Sequence, residues 1–183
     1  MKKPFSRNYR FVQKLLLVTL LICINPISSF GQKDVVKEVC GAKYGASYKK
    51  ALLALTKTLG LPNSHTEESI KYYNHNYMGI SFDEMIFYFF PKYMDNPNSQ
   101  RVFNYAQFIY ACTTREESIR VSAQIAQKMG TLYEIETKEK GGMPAYYGGT
   151  NPKNDALYAF SIISIVGNDG TFYSALAFWP SMF

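Results

Sequence analysis

The chain has 183 residues, with 20 Lys and Arg against 14 Asp and Glu, a formal net charge of +6. Five of the basic residues and none of the acids lie in the first 31 positions, so residues 32–183 carry 15 basic and 14 acidic side chains and a net charge of +1. That balance, with no basic cluster beyond the pair Lys49-Lys50, excludes nucleic acid as a partner, because phosphates demand a concentrated basic face.

Lys2, Lys3, Arg7, Arg10 and Lys14 precede a ten-residue apolar run, residues 15–24 (LLLVTLLICI), which Asn25 and Pro26 end. The small residues Ser28, Ser29 and Gly31 follow. Basic start, apolar middle and small-residue end are the order of a secretory signal peptide. The apolar run is half of the roughly 20 residues that a spanning helix needs. Cleavage is expected after Gly31, with Ser29 at the −3 position, leaving no transmembrane segment. Ile22 stands where a lipobox wants a small residue before Cys23, so lipidation there is not expected. Residues 32–183 are then 152 residues, one domain's worth of chain, in a periplasmic or secreted location.

Residues 32–39 are polar and form a loose start. Ser47 is placed as an N-cap. Tyr48, Ala51, Leu52, Leu55 and Leu59 recur at helical spacing, and Gly60 and Pro62 stop the helix. Ser69 to Asn74 is a short strand, and His75-Asn76 is the turn after it. Tyr77 to Phe90 is a long aromatic strand, bent near 79–83, with Met85, Phe87 and Phe89 on one face and Ile86, Tyr88 and Phe90 on the other. Residues 91–100 are a polar loop, and Phe103 to Cys112 is a third strand.

A second helix starts at a capping box, Thr114 and Glu117. Ser118, Val121, Ser122, Ile125 and Met129 line one face of it, and Gly130 follows. Leu132 to Thr137 is a strand, Lys138 to Asn154 a Gly-rich loop, and Leu157 to Val166 a strand. The Gly167-Asn168-Asp169-Gly170 turn leads to a last strand, Thr171 to Trp179. The two halves align at an offset of 70 residues: Ala51 with Val121, Leu55 with Ile125, Leu59 with Met129 and Gly60 with Gly130. The expected fold is α+β, a duplicated α-β-β-β unit (41–112 and 113–183). Its short links make the sheet antiparallel, with both helices packed on one face.

The run Gly41-Ala42-Lys43-Tyr44-Gly45-Ala46-Ser47, the helix ending at Leu59-Gly60, the Pro62 stop and the aromatic strands after them resemble the opening of an SmpA/OmlA-type unit. That fold is shared with β-lactamase inhibitor proteins (BLIP-like). About 45 residues carry the resemblance, and the missing lipobox departs from the lipoprotein members. The resemblance implies a non-enzymatic binding module.

Residues 32–183 hold two cysteines, Cys40 and Cys112. An oxidising compartment permits a disulfide between them. It would close a long loop, worth about 4 kcal/mol in the chain-entropy account. Two buried thiols are the alternative. His65 and His75 show no metal-ligand spacing. Gly141-Gly142 and Gly148-Gly149 lack the Lys-Ser/Thr of a phosphate-binding loop, so no cofactor is expected. Ser47 and Lys50 match Ser-x-x-Lys without the partner motifs of acylating enzymes. Asp83, Glu84 and Glu134, with Glu136 and Glu139 behind them, are the carboxylates that a small periplasmic hydrolase would use with a histidine.

Aromatic residues are in excess of what one core layer needs. Tyr72, Tyr77, Tyr88, Tyr146 and Tyr147 are the candidate contact residues, since tyrosine offers apolar area with a polar tip. The chain is therefore expected to be an exported binding module for an unknown protein or envelope ligand. A hydrolase or a structural envelope component are the alternatives.

Overall fold

The computed structural model describes residues 35–93, 95–151 and 157–179, which lie in the compact unit spanning Lys33–Phe183. The expected leader lies outside the described residues. A two-stranded hairpin, β1 (Glu38–Val39) and β2 (Ala42–Lys43), precedes α1 (Tyr48–Leu59). Four strands follow: β3 (Ser64–His65), β4 (Ser69–Tyr77), β5 (Ile80–Tyr93) and β6 (Asn96–Cys112). Then come α2 (Arg115–Met129) and four more strands: β7 (Ile135–Lys140), β8 (Met143–Thr150), β9 (Tyr158–Val166) and β10 (Phe172–Phe178). One eight-stranded sheet runs in the order β3-β4-β5-β6-β10-β9-β8-β7, and every pairing in it is antiparallel. The α+β class, the two helices and the antiparallel sheet agree with the sequence.

Strand alternation sorts the sheet residues into two faces. Ile70, Tyr72, Phe87, Phe108, Phe160, Ile162 and Leu176 occupy one face and are fully buried. Ala51 and Leu55 of α1 and Val121, Ile125 and Met129 of α2 join them in a single core. Phe108 is its aromatic hub, in edge-to-face contact with Tyr77, Phe82, Phe87 and Phe178 at centroid separations of 5.1–5.6 Å. Each helix is also fastened to this face by polar bonds. The Tyr72 hydroxyl donates to the Gly60 carbonyl (3.3 Å), and His75 Nε2 meets the Leu59 carbonyl (2.6 Å), answering orphan acceptors at the end of α1. Under α2, the Ser122 hydroxyl bonds those of Ser164 and Ser174 at 3.1 Å, and Ser174 Oγ donates to the Ser118 carbonyl at 2.6 Å. These buried hydroxyls satisfy one another, which keeps a polar patch inside the core tolerable.

Several local expectations change. His75-Asn76 is not a turn: β4 runs through it to Tyr77. The reversal falls at Met78-Gly79, where both residues take positive φ (53° and 77°) and Asn76 Oδ1 accepts from the Gly79 N–H. Two consecutive positive φ values are the hairpin geometry whose twist matches the strands. Residues 91–100 are not a loop. β5 and β6 extend as a two-stranded ribbon, with Pro91 paired to Arg101 and Tyr93 to Asn96. Most ribbon residues are exposed on both sides, so they look polar and loop-like in sequence.

Residues 138–151 of the Gly-rich stretch are mostly strand, and residues 152–154 lie outside the described residues. Gly141 and Gly142 (φ 60° and 71°) make a tight turn between β7 and β8. Gly148 lies in β8 because a Cβ there would meet the Glu134 carbonyl at 2.8 Å and the Phe160 ring at 2.6 Å. The expected three strands after each helix are therefore four. Ser47 precedes α1 without a side-chain capping bond. At α2 the Thr114 hydroxyl accepts from the Glu117 N–H (3.1 Å), while the Glu117 carboxylate reaches past the cap to the Thr113 N–H (2.8 Å).

Candidate binding face

α1, the β1–β2 hairpin and α2 all pack on the face that carries Tyr72 and Phe108. Among the described residues no helix or hairpin packs on the other face. Register assembles that face row by row. In one row Lys71, Ile86, Gln107 and Ala177 lie side by side, and Ser161, Tyr147 and Glu136 continue it. In the next, Tyr73, Glu84, Ile109 and Ala175 are followed by Ile163, Ala145 and Lys138.

Aromatic rings gather toward both ends of these rows. On β5 and β6, Tyr88 lies 5.4 Å from Tyr105 and 6.5 Å from Phe90. On β8 and β9, Tyr147 and Tyr158 lie 5.3 Å apart, and the Lys138 ammonium sits 4.9 Å from the Tyr158 ring centroid. Such a cation–ring contact contributes about 0.5–1 kcal/mol at an exposed site. Small side chains, Ala175, Ala177, Ser161 and Ala145, form the recessed ground between the clusters. The Ser161 hydroxyl is buried there without a partner.

Charges on this face are matched in pairs. Lys71 Nζ meets the Glu84 carboxylate at 3.0 Å, and Lys138 meets Glu136 at 3.4 Å. The hydrogen bond to Glu84 raises the Lys71 pKa. Burial raises those of Tyr88 and Tyr105. Tyr88 and Tyr105 are thereby held as neutral phenols, each with an apolar ring and a hydroxyl tip.

The five tyrosines picked from sequence separate by face. Tyr88 and Tyr147 belong to the open face and are half-buried. Tyr72 does not: it is fully buried beneath α1, edge-on to Phe87. Tyr77 packs on Phe108 and Phe178 in the core, where burial pushes its pKa up. Tyr146 packs against the same core. Sequence reading counted Tyr73 among the surplus aromatics and missed Tyr105, Tyr158 and Tyr173; all four share the open face. For Tyr73, Tyr105 and Tyr173 the signal is the two-residue alternation, usable only once register links the strands. Tyr158 has the parity of the buried Phe160 and Ile162, and only its ring contact with Tyr147 brings it to this face.

The carboxylates do not converge. Asp83 Oδ2 accepts from the Ala111 N–H (2.8 Å), and Glu84 is held by Lys71. Glu134 adjoins β7, five strand spacings from β5, or about 24 Å at about 4.8 Å each. A carboxylate pair for glycosidic hydrolysis spans less than about 10 Å. His65 Nδ1 bonds the Tyr48 hydroxyl at 2.6 Å. Among the described residues no group of three His, Cys, Asp or Glu side chains is placed to hold a metal ion.

An open groove of about 590 Å³ lies where the start of α1 meets the β5–β6 ribbon. Its Arg101 is committed to Glu68 and the Phe89 carbonyl. Cys40 and Cys112 are free thiols, and no disulfide joins them. Cys40 sits at the β1–β2 turn with φ 50°, and burial pushes its thiol up to about 12. Cys112 contacts Ser174 Oγ at 4.0 Å. Among the described residues no helix is long and apolar enough to cross a membrane. The chain matches no protein-family model, no curated protein and no solved structure.

Proposed function

We propose that this chain is an exported binding module that holds a protein or envelope partner against the open face of its sheet. One observation carries the reading: register puts Tyr73, Tyr88, Phe90, Tyr105 and Tyr147 on the face away from the helices, and the Tyr158 ring joins Tyr147 there. Rigid amphipathic rings are the side chains that dominate protein interfaces, because they present large area at little entropic cost. The matched charges suit a partner that is not itself strongly charged. The leader-like start of the sequence supports export.

A duplicated origin fits the same reading. Each helix is followed by four strands, and the last strand of each half, β6 and β10, meet at the centre of the sheet. Two equivalent units then contribute one aromatic cluster each.

The test is a capture experiment with the exported chain and the double variant Tyr88→Ala, Tyr147→Ala. Envelope proteins cross-linked to the parent chain are quantified by mass spectrometry. Loss of the cross-linked set by the variant, with its melting temperature held within a few degrees, is the expected result. A folded variant that captures the same set at the same level would refute the assignment of this face.

A further inference from the structure

We propose that β7 pairs antiparallel with β7 of a second copy of this chain, joining two sheets edge to edge. This inference rests on the backbone edge of β7 and shares only Glu136 and Lys138 with the aromatic face. β7 is the terminal strand of the sheet and, among the described residues, pairs only with β8. One long side of its backbone is therefore free to bond. Edge strands in stable proteins are blunted by charge or shortness. The opposite edge, β3, is two residues long. β7 has six residues, Ile135–Lys140, and all but the first are exposed.

The charge pattern selects a single register. Glu134, Glu136, Lys138 and Lys140 share one side of the strand, since side chains alternate. A two-fold axis perpendicular to the sheet keeps faces aligned only when it passes through a residue position. Centred on Thr137, it sets Glu136 opposite the second copy's Lys138 and Glu134 opposite the second copy's Lys140, each pair occurring twice. Thr137 faces its own symmetry mate, and no like charges are opposed. Centred on Glu136, Lys138 or Glu139, it opposes that residue to itself. Centred on Ile135, it opposes Glu134 to Glu136. Like charges directly opposite destabilise a strand pair, and opposite charges stabilise it. The charges that would guard this edge against arbitrary strands thus admit one arrangement of the chain with itself. Lys138 already leans toward Glu136 along its own strand (3.4 Å), so the seam would be a continuous ladder of alternating sign. A six-residue seam is a small interface, so the dimer is weak and concentration-dependent.

The full chain, expressed for export and purified, is followed by sedimentation velocity over a concentration series. The parent, Lys138→Glu, Glu136→Lys and the double swap are compared, with circular dichroism confirming the fold of each. Each single substitution turns two attractive pairs into two repulsive ones and is expected to weaken the dimer about tenfold. The double swap restores opposite charges and is expected to return the parent constant within about threefold. In the chosen register the Thr137→Cys thiols face each other, with Cβ atoms about 5 Å apart. Under mild oxidation that variant is expected to cross-link through position 137, while Glu136→Cys and Lys138→Cys lag. A parent chain that stays monomeric at every concentration overturns the proposal. So does a single variant that dimerises as the parent does, a double swap that fails to recover, or faster cross-linking at 136 or 138.

Discussion

Tyr72 and Tyr147 look alike in sequence, and the structure predicts opposite consequences for removing them. Tyr72 is fully buried, packed at 6.0 Å on Phe87 and 5.2 Å on His75. Burying an aromatic side chain removes roughly 200 Å² from water, worth about 5 kcal/mol at about 25 cal/mol per Å². Alanine keeps a small part of that, so Tyr72→Ala is expected to destabilise the domain by about 4 kcal/mol, in line with large-to-small changes in cores. Tyr72→Phe keeps the ring and loses the hydroxyl's hydrogen bonds, to the Gly60 carbonyl at 3.3 Å and to Thr56, about 1–2 kcal/mol. Tyr147 is half-buried on the open face, and Tyr147→Ala is expected to cost about 1 kcal/mol or less. For a domain of this size each kcal/mol moves the melting temperature by about 2–4 °C, so Tyr72→Ala should melt about 8–16 °C below the parent. Urea denaturation of the three variants, with unchanged dependence on denaturant, gives the free energies directly. If Tyr72→Ala costs no more than Tyr147→Ala, the assignment of the two faces is wrong.

The remaining predictions concern the thiols and the glycine of β8. Burial raises the Cys40 pKa to about 12, so the fold favours its protonated form. That stability is complete below the ordinary thiol value of about 8.5 and is lost as pH climbs toward about 12, at about 1.4 kcal/mol per pH unit. Burial raises Tyr44 and Tyr77 in the same direction, so melting temperature should fall steadily through the alkaline range, and a flat profile would contradict it. Iodoacetamide at pH 8 is expected to label Cys112 before Cys40, read by peptide mass spectrometry. Gly148→Ala places a Cβ against the Glu134 carbonyl and the Phe160 ring. It is expected to destabilise by about 1–3 kcal/mol, whereas Gly170→Ala, with open space but φ 80°, should show only the backbone penalty of about 1 kcal/mol.

Local physics is what the sequence determined by itself. The helical stripe Ala51-Leu55-Leu59 and the Thr114–Glu117 cap specify both helices to within a residue or two, because their signals lie within one or two turns of chain. Alternation along β5 correctly divides Met85, Phe87 and Phe89 from Ile86, Tyr88 and Phe90 for the same reason. Tertiary structure decided everything that depends on which residues become neighbours across strands. Whether Tyr72 or Tyr73 faces a helix depends on where α1 docks, and no local period encodes that. Gly148 marks a loop in sequence and a crowded strand in space, since the crowding comes from Phe160 and from the carbonyl of Glu134. The carboxylates stand close in a list of residues and about 24 Å apart across the sheet. The aromatic face and the register of the β7 edge likewise emerge only when pairing places strands side by side, because a face is a property of the assembled sheet.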